Sequence, residues 1–150
     1  MDIRDDFLAF GVPLIGEEEI QEVEDCLRSG WLSTGPKVAE FEGLLREYTG
    51  SQFAIALNSC TAGLHLSLLA AGIGKGDEVI TTPMTFCATV NTIIHAGAKP
   101  VLVDIERDTQ LIDTQRIEEA ITLQTKAIIP VHLYGRPCKM DAITEIAEKY

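Results

Sequence analysis

Small and hydroxyl-bearing residues stand together at 58–63 (Asn-Ser-Cys-Thr-Ala-Gly), where a short apolar run stops and a helical pattern begins. The first backbone N–H groups of a helix have no carbonyl partner inside it, and the N-terminus carries partial positive charge. Since these side chains are small, the stretch predicts a helix N-terminus that binds phosphate. The alternative is that its hydroxyl groups only cap the helix. In that case Thr61→Ala removes a cap worth about 0.5–2 kcal/mol and alters no binding.

Two further groups follow predicted strands: Phe86 in the stretch 82–86 and His132 in the stretch 131–134. In open α/β sheets, ligands bind at the carboxyl ends of the strands. A phosphate-binding helix end with hydroxyl groups and an aromatic ring suits a flat, phosphorylated ring that lies against Phe86. His132 either approaches this ligand or caps its strand. The sequence contains neither G-x-G-x-x-G nor G-x-x-x-x-G-K-[ST], which argues against dinucleotide and P-loop sites.

The elements that must position these residues alternate between strands and helices. Apolar, β-branched runs predict strands at 53–58, 78–81, 100–104 and 127–131. Helical periodicity predicts helices between and after them, among them 61–72, 113–121 and a last helix carrying Met140 and Ile143. Continuous apolar strands indicate a sheet covered on both faces, and strand–helix alternation indicates parallel strands. The predicted fold class is α/β, with a doubly wound, mostly parallel sheet.

The first part of the sequence has a different organisation. An irregular apolar arm is predicted at 7–14, followed by a helix that ends at Ser29 and a second helix that ends at Gly50. Glutamates in the first turn favour the first helix, because its dipole stabilises negative charge there. The loop between the helices contains Trp31 and Thr34. Trp31 either belongs to a surface that meets a partner or is a core residue beside a turn threonine.

Composition limits the class of protein. The 150 residues carry a formal net charge of −11, which argues against nucleic acid or an anionic membrane as a partner. The four cysteines form no C-x₂-C pair, so neither a zinc knuckle nor a redox pair is expected. The acidic start lacks a signal-peptide pattern, and no window approaches the roughly 18 apolar residues of a membrane span. We expect a cytoplasmic protein with reduced thiols and no metal site.

Three stretches resemble one known family: 58–66 (Asn-Ser-Cys-Thr-Ala-Gly-Leu-His-Leu), 82–89 (Thr-Pro-Met-Thr-Phe-Cys-Ala-Thr) and 130–135 (Pro-Val-His-Leu-Tyr-Gly). Residues 29–36 and the pair Phe41-Glu42 match the same family's N-terminal pattern. With these motifs in order from about Val12 to Tyr150, the chain resembles the DegT/DnrJ/EryC1/StrS aminotransferases. These are sugar aminotransferases of fold type I that use pyridoxal 5′-phosphate.

The resemblance implies a role for four residues at the cofactor. It assigns the cofactor phosphate to Cys60, Thr61 and Ala62, and stacking on the pyridine ring to Phe86. The family usually has glycine where this chain has Cys60. The Cys60 side chain therefore either crowds the phosphate or turns away while its backbone N–H donates.

The same resemblance implies substrates and an assembly. It places Trp31 and Thr34 in the family's substrate-side segment, near a dimer interface; the core alternative for Trp31 stays open. It further implies a nucleotide-linked keto sugar as the acceptor, glutamate as the amino donor and a homodimer for the full-length parent.

Transamination requires a lysine that bonds to the cofactor aldehyde and moves a proton. In the resembled family, this lysine and an aspartate for the pyridine nitrogen follow the segment that matches, and no lysine of this sequence occupies the position. We therefore expect residues 1–150 to be the N-terminal portion of the cofactor-binding large domain, with an arm and two helices at 1–50 and alternating strands and helices at 51–150. The catalytic-lysine segment and the C-terminal domain are expected to be absent, so the chain alone should be inactive.

Three alternatives to an aminotransferase stay open. If a histidine replaces the missing lysine, the parent is a pyridoxal-phosphate-dependent sugar dehydratase. Without such chemistry, the chain is a phospho-ligand-binding α/β module, with the stretch 59–63 as its anion site. The third alternative is an interaction domain that keeps these motifs without a ligand.

Overall fold

The computed structural model describes residue 7 and residues 11–150. Of the predicted apolar arm, residues 8–10 lie outside this part, as do the six residues of the acidic start. The chain divides into two compact units, Met1–Ala56 and Leu57–Tyr150.

The first unit contains two helices, α1 (Glu17–Ser29) and α2 (Pro36–Thr49), as the sequence predicts. The Glu19 carboxylate accepts the Gly16 N–H at 2.6 Å at the start of α1. Pro36 begins α2, where its missing N–H costs no helical hydrogen bond. Each helix ends at a glycine with positive φ, a conformation that glycine adopts without strain. Neither helix contains a fully buried residue.

The second unit is built on a three-stranded parallel sheet. Its strands are β1 (Glu78–Thr81), β2 (Lys99–Leu102) and β3 (Thr125–Ile128), in the order β2-β1-β3. Ile80 of β1 lies opposite Val101 of β2 and Ile128 of β3. The sheet is therefore centred on β1, whose last three residues are buried.

Helices cover both faces of this sheet. They are α3 (Cys60–Ala70), α4 (Cys87–His95), α5 (Thr114–Glu119) and α6 (Met140–Lys149). Val79 packs with Leu68 of α3 and Ile93 of α4. The next residue, Ile80, packs in a separate cluster with Ile117 of α5 and Ile143 of α6. Because adjacent strand residues point to opposite faces, this confirms the doubly wound α/β architecture.

The prediction of a strand at 53–58 is wrong: within the described residues this segment is irregular and pairs with no strand. Phe53 and Ile55 are 74% and 78% exposed. The Ala56 N–H donates instead to the Glu42 carboxylate at 2.8 Å. An apolar run forms a strand only if a neighbouring strand supplies the hydrogen bonds of the ladder. None of the described residues does so for 53–58.

Other boundaries differ by a few residues from the prediction. The strands predicted at 100–104 and 127–131 begin and end earlier, as the ranges of β2 and β3 show. The helix predicted at 113–121 is α5, with Asp113 as its N-cap, where the carboxylate accepts the Gln115 N–H at 3.0 Å. Among the described residues, no helix is both long and apolar enough to cross a membrane.

Candidate functional site

The N-terminus of α3 has a defined set of bonded and open N–H groups. Ser59 is the N-cap in extended conformation, and its Oγ accepts the Ala62 N–H at 3.1 Å. Gly63 N–H donates to the Ser59 carbonyl at 3.2 Å. In the part of the chain that the structure describes, the N–H groups of Cys60 and Thr61 have no hydrogen-bond partner. Two of the first four donors are thus available to an anion.

The three residues predicted to bind phosphate therefore differ. Cys60 and Thr61 are exposed and have open N–H groups, whereas Ala62 is half-buried and its N–H already bonds Ser59. The capping alternative assigned the cap to Thr61, and that assignment is wrong. The cap is Ser59, and the Thr61 hydroxyl makes no hydrogen bond to any described residue.

Phe86 lies in a short, internally bonded loop between β1 and α4. The buried Thr82 hydroxyl accepts the Met84 N–H at 3.2 Å, and the hydroxyls of Thr85 and Thr89 are 2.8 Å apart. Phe86 itself is the extended residue before the first turn of α4, and it is 76% exposed. The loop thus presents an aromatic ring on the surface of the second unit.

The chain direction brings the starts of α3 and α4 toward the same edge of the sheet. Helix α4 follows the carboxyl end of β1 and leads to the amino end of β2, so it begins at the carboxyl edge. Helix α3 leads to the amino end of β1 and packs against α4. The open N–H groups and the exposed ring therefore belong to the carboxyl edge, where ligands of open α/β sheets bind.

Trp31 and Thr34 lie in the first unit, in the loop between α1 and α2, and both are exposed. The Trp31 ring packs on Gly35, since a Cβ added to Gly35 would lie 2.9 Å from Trp31 Cε3. Trp31 is 58% exposed and borders a groove of about 600 Å³, lined also by Val23 and Leu32. It is not a core residue of this unit.

His132 takes part in a closed loop after β3. Its Nδ1 accepts the Cys138 N–H at 3.0 Å, and Cys138 Sγ donates to the Val131 carbonyl at 3.2 Å. Burial raises the pKa of the Cys138 thiol, so it stays protonated as a donor. His132 itself is exposed.

The sequence predicted no role for two residues, one in each unit. Glu42, noted only as part of a motif, bonds Ala56 across 14 residues. Tyr134 adopts φ 52° inside the loop after β3 and is 88% exposed. The following Gly-Arg-Pro is a turn signal, but periodicity does not reveal a left-handed tyrosine. Among the described residues, no cluster of three histidine, cysteine or acidic side chains could hold a metal ion.

A protein family with this fold can be recognised from the sequence. The profile of the DegT/DnrJ/EryC1/StrS aminotransferase family matches residues 13–150. The chain belongs to this family.

Two curated proteins are similar to this chain over almost its whole length. An uncharacterised protein of Methanocaldococcus jannaschii, MJ1066, is 60% identical over 148 residues, which are 99% of this chain and 38% of the relative. The spore coat polysaccharide biosynthesis protein SpsC of Bacillus subtilis is 54% identical over 147 residues, 98% of this chain and 38% of SpsC. The chain therefore spans about two fifths of the length of these curated relatives.

Solved structures show the same fold. Spr1654 of Streptococcus pneumoniae, assigned provisionally as a sugar aminotransferase, superposes with a TM-score of 0.91 at 48% identity, covering 95% of this chain and 36% of Spr1654. It has been solved in PLP, PMP and apo forms. The aminotransferase from Psychrobacter cryohalolentis gives a TM-score of 0.86 at 38% identity, covering 91% of this chain and 35% of that protein. The sheet and helices described above are accordingly part of a fold type I large domain.

Proposed function

We propose that these residues are the N-terminal, cofactor-binding portion of an aminotransferase that moves an amino group from glutamate to a nucleotide-linked keto sugar. Family membership and the naming of Spr1654 as a sugar aminotransferase support the reaction class. The involvement of SpsC in spore coat polysaccharide biosynthesis supports a sugar acceptor. The observation that carries the proposal is the pair of open N–H groups at the start of α3, on the same edge as the exposed Phe86.

The family and the PLP form of Spr1654 indicate pyridoxal 5′-phosphate as the cofactor. When bound, this group withdraws electrons from the reacting carbon of the substrate. The residues present fit it. The N–H groups of Cys60 and Thr61 would hold the phosphate, with Ala62 completing the turn, and Phe86 would stack on the ring. The formal net charge of −11 opposes an anion, so these local dipoles must supply the attraction.

The first unit is proposed to contact the substrate and to form part of a homodimer interface. Its two helices contain no fully buried residue, and Phe41 and Leu44 of α2 are 56% and 60% exposed. Exposed apolar surface of this kind marks an interaction site. Trp31 and Thr34 would face the substrate beside a homodimer interface of the full-length parent, a cytoplasmic enzyme.

The catalytic lysine is proposed to lie outside residues 1–150. Four lysines are already held in ion pairs with glutamates: Lys37, Lys99, Lys139 and Lys149. Lys75 and Lys126 lie at the amino edge of the sheet, before β1 and at the start of β3. The chain alone is therefore expected to bind the cofactor without transaminating.

The proposed phosphate contact can be tested by removing one N–H. Cys60→Pro in the full-length parent deletes the Cys60 donor, and proline suits the first helical position. Ser59 already has the extended conformation that a residue before proline adopts. We expect the dissociation constant for pyridoxal phosphate, followed by absorbance and fluorescence, to rise about tenfold or more, because a hydrogen bond to a charged group is lost. Cys60→Ala keeps the N–H and is the matched control; equal affinity in the two variants would contradict the contact.

The reaction is tested with the same full-length protein. Glutamate should be converted to 2-oxoglutarate beyond one equivalent per bound cofactor only when a nucleotide-linked keto sugar is supplied, because this sugar takes up the amino group that the cofactor has accepted. If the cofactor binds but glutamate is not consumed with any such sugar, the aminotransferase proposal is wrong and a binding function replaces it.

A further inference from the structure

The segment that follows β3 is anchored at both ends. At its start, Ile129 N–H donates to the Ile80 carbonyl at 2.8 Å, and Thr81 Oγ1 donates to the Ile129 carbonyl at 2.9 Å. At its other end, Cys138 is 6% exposed and belongs to the core cluster of α5 and α6. The intervening turn is thus held between the sheet and the core.

The loop fixes which nitrogen of His132 carries the proton. A backbone N–H can only donate, so His132 Nδ1 must accept from Cys138 at 3.0 Å. A neutral imidazole has one donor and one acceptor nitrogen, and its proton therefore lies on Nε2. Within the described residues, Nε2 has no hydrogen-bond partner, and the side chain is exposed. The ring is oriented by the protein and presents one free donor.

The segment that carries His132 and the segment that carries Phe86 leave the sheet at the same edge. The strands β1 and β3 are neighbours, and Thr81 bonds Ile129 directly across them. Phe86 is five residues beyond Thr81 in sequence, and His132 is three residues beyond Ile129. Since the strands are parallel, both chains leave in the same direction and reach the carboxyl edge.

Resting on the proposed function, we propose that His132 donates a hydrogen bond from Nε2 to an oxygen atom of the bound cofactor, and that Cys138 holds the imidazole in the required tautomer. A fixed donor costs no reorganisation when the ligand binds. A hydrogen bond from the other ring nitrogen is the usual way in which proteins set a histidine tautomer. The two nitrogens of His132 therefore have different tasks, one inside the loop and one toward the ligand.

Two substitutions in the full-length parent separate these tasks. His132→Asn keeps an acceptor near Nδ1 for the Cys138 N–H and lacks the Nε2 donor. His132→Gln places an amide donor near Nε2 and lacks the nearby acceptor. We expect the Asn variant to keep its melting temperature and to bind pyridoxal phosphate about tenfold more weakly. We expect the Gln variant to melt earlier and to bind more tightly than the Asn variant. A capping role alone predicts the reverse order of affinities and would overturn the proposal.

A second measurement observes His132 directly in the unsubstituted protein. In ¹⁵N NMR spectra of the histidine-labelled apoprotein, His132 should show the Nε2–H tautomer, and adding pyridoxal phosphate should shift its Nε2 signal. Inorganic phosphate alone should leave that signal unchanged, because the phosphate contact is assigned to α3. The inference is overturned if the Nε2 chemical shift does not change when the cofactor is added, although Cys60→Pro still weakens cofactor binding. That outcome leaves the proposed function intact. If Cys60→Pro and Phe86→Ala also leave binding unchanged, the proposed function itself fails.

Discussion

The start of α3 shows how one residue can cap a helix and leave two neighbouring N–H groups without a partner among the described residues. The Ser59 hydroxyl satisfies the Ala62 N–H, and its carbonyl satisfies Gly63. This arrangement stabilises the first turn without using the N–H groups of Cys60 and Thr61. The cap and the proposed anion site therefore use different N–H groups.

Removing the hydroxyl group of Ser59 and removing that of Thr61 should therefore change the free energy of unfolding by different amounts. Ser59→Ala leaves the Ala62 N–H without its partner and should lower the free energy of unfolding by about 0.5–2 kcal/mol. Thr61→Ala removes an exposed hydroxyl without a hydrogen bond to any described residue and should change it by less than about 0.5 kcal/mol. Urea unfolding of the two variants measures both values. Equal losses would show that Thr61 shares the cap.

At the residue scale, the sequence predicted the start of helix α3 more readily than the hydrogen bonds made there. The run of small and hydroxyl residues at 58–63 predicted a helix start, and α3 begins at Cys60. Which hydroxyl caps the helix depends on backbone angles at Ser59, and sequence type alone does not determine them, because serine and threonine are both good N-caps. The Nδ1 contact of His132 was equally inaccessible, since it depends on a turn that contains a left-handed tyrosine.

Among the elements, the strand β1 could be predicted because its β-branched residues Val79, Ile80 and Thr81 are buried, whereas β2 and β3 are only partly buried. The segment 53–58 is also apolar, yet the prediction of a strand there failed. Strand formation depends on a partner that is distant in sequence, whereas helix α3 needs only its own periodicity and cap. The contact that does hold the segment, from Glu42 to Ala56, crosses 14 residues and leaves no periodic signal.

Glu42 is predicted to anchor this segment to α2. Glu42→Ala would leave the half-buried Ala56 N–H without an acceptor, at a cost of about 1–3 kcal/mol. The amide exchange of Ala56 in native conditions should then accelerate about tenfold or more. Glu42→Gln retains an acceptor oxygen and should restore much of the protection. Glu47→Ala, on the same helix and without a hydrogen bond to any described residue, is the control. Unchanged exchange in Glu42→Ala would show that the bond is absent in solution.

For the whole molecule, the sequence predicted the layered core of the second unit better than the surroundings of the first. Val79 and Ile80 pack on opposite faces because consecutive apolar residues in a strand must both be covered. The sequence predicted where helices α1 and α2 lie, yet the apolar residues of both helices are largely exposed. Periodicity identifies the apolar face of a helix but not the molecule that covers it, which explains why Trp31 could be read as a core residue.

Acid should destabilise the second unit through carboxylates that join its elements. Hydrogen bonds from Lys139 and then Thr109 lower the pKa of Glu106, and Lys99 and Lys149 act in the same way on Glu78 and Glu118. A folded-state pKa below the ordinary value of 4.5 means that the folded protein binds fewer protons than the unfolded chain. The stability that these lowered carboxylate pKa values contribute should therefore be fully present above about pH 5 and should fall as the pH drops through and below 4.5. Urea unfolding of the protein, followed against pH, tests this. Lys139→Met should make the loss of unfolding free energy at acid pH less steep. Lys126→Met removes an equal charge that makes no ion pair with any described residue, and it should leave the steepness of this loss unchanged. If the two variants have the same pH profile, the specific pairing at Glu106 is not the cause and net charge is.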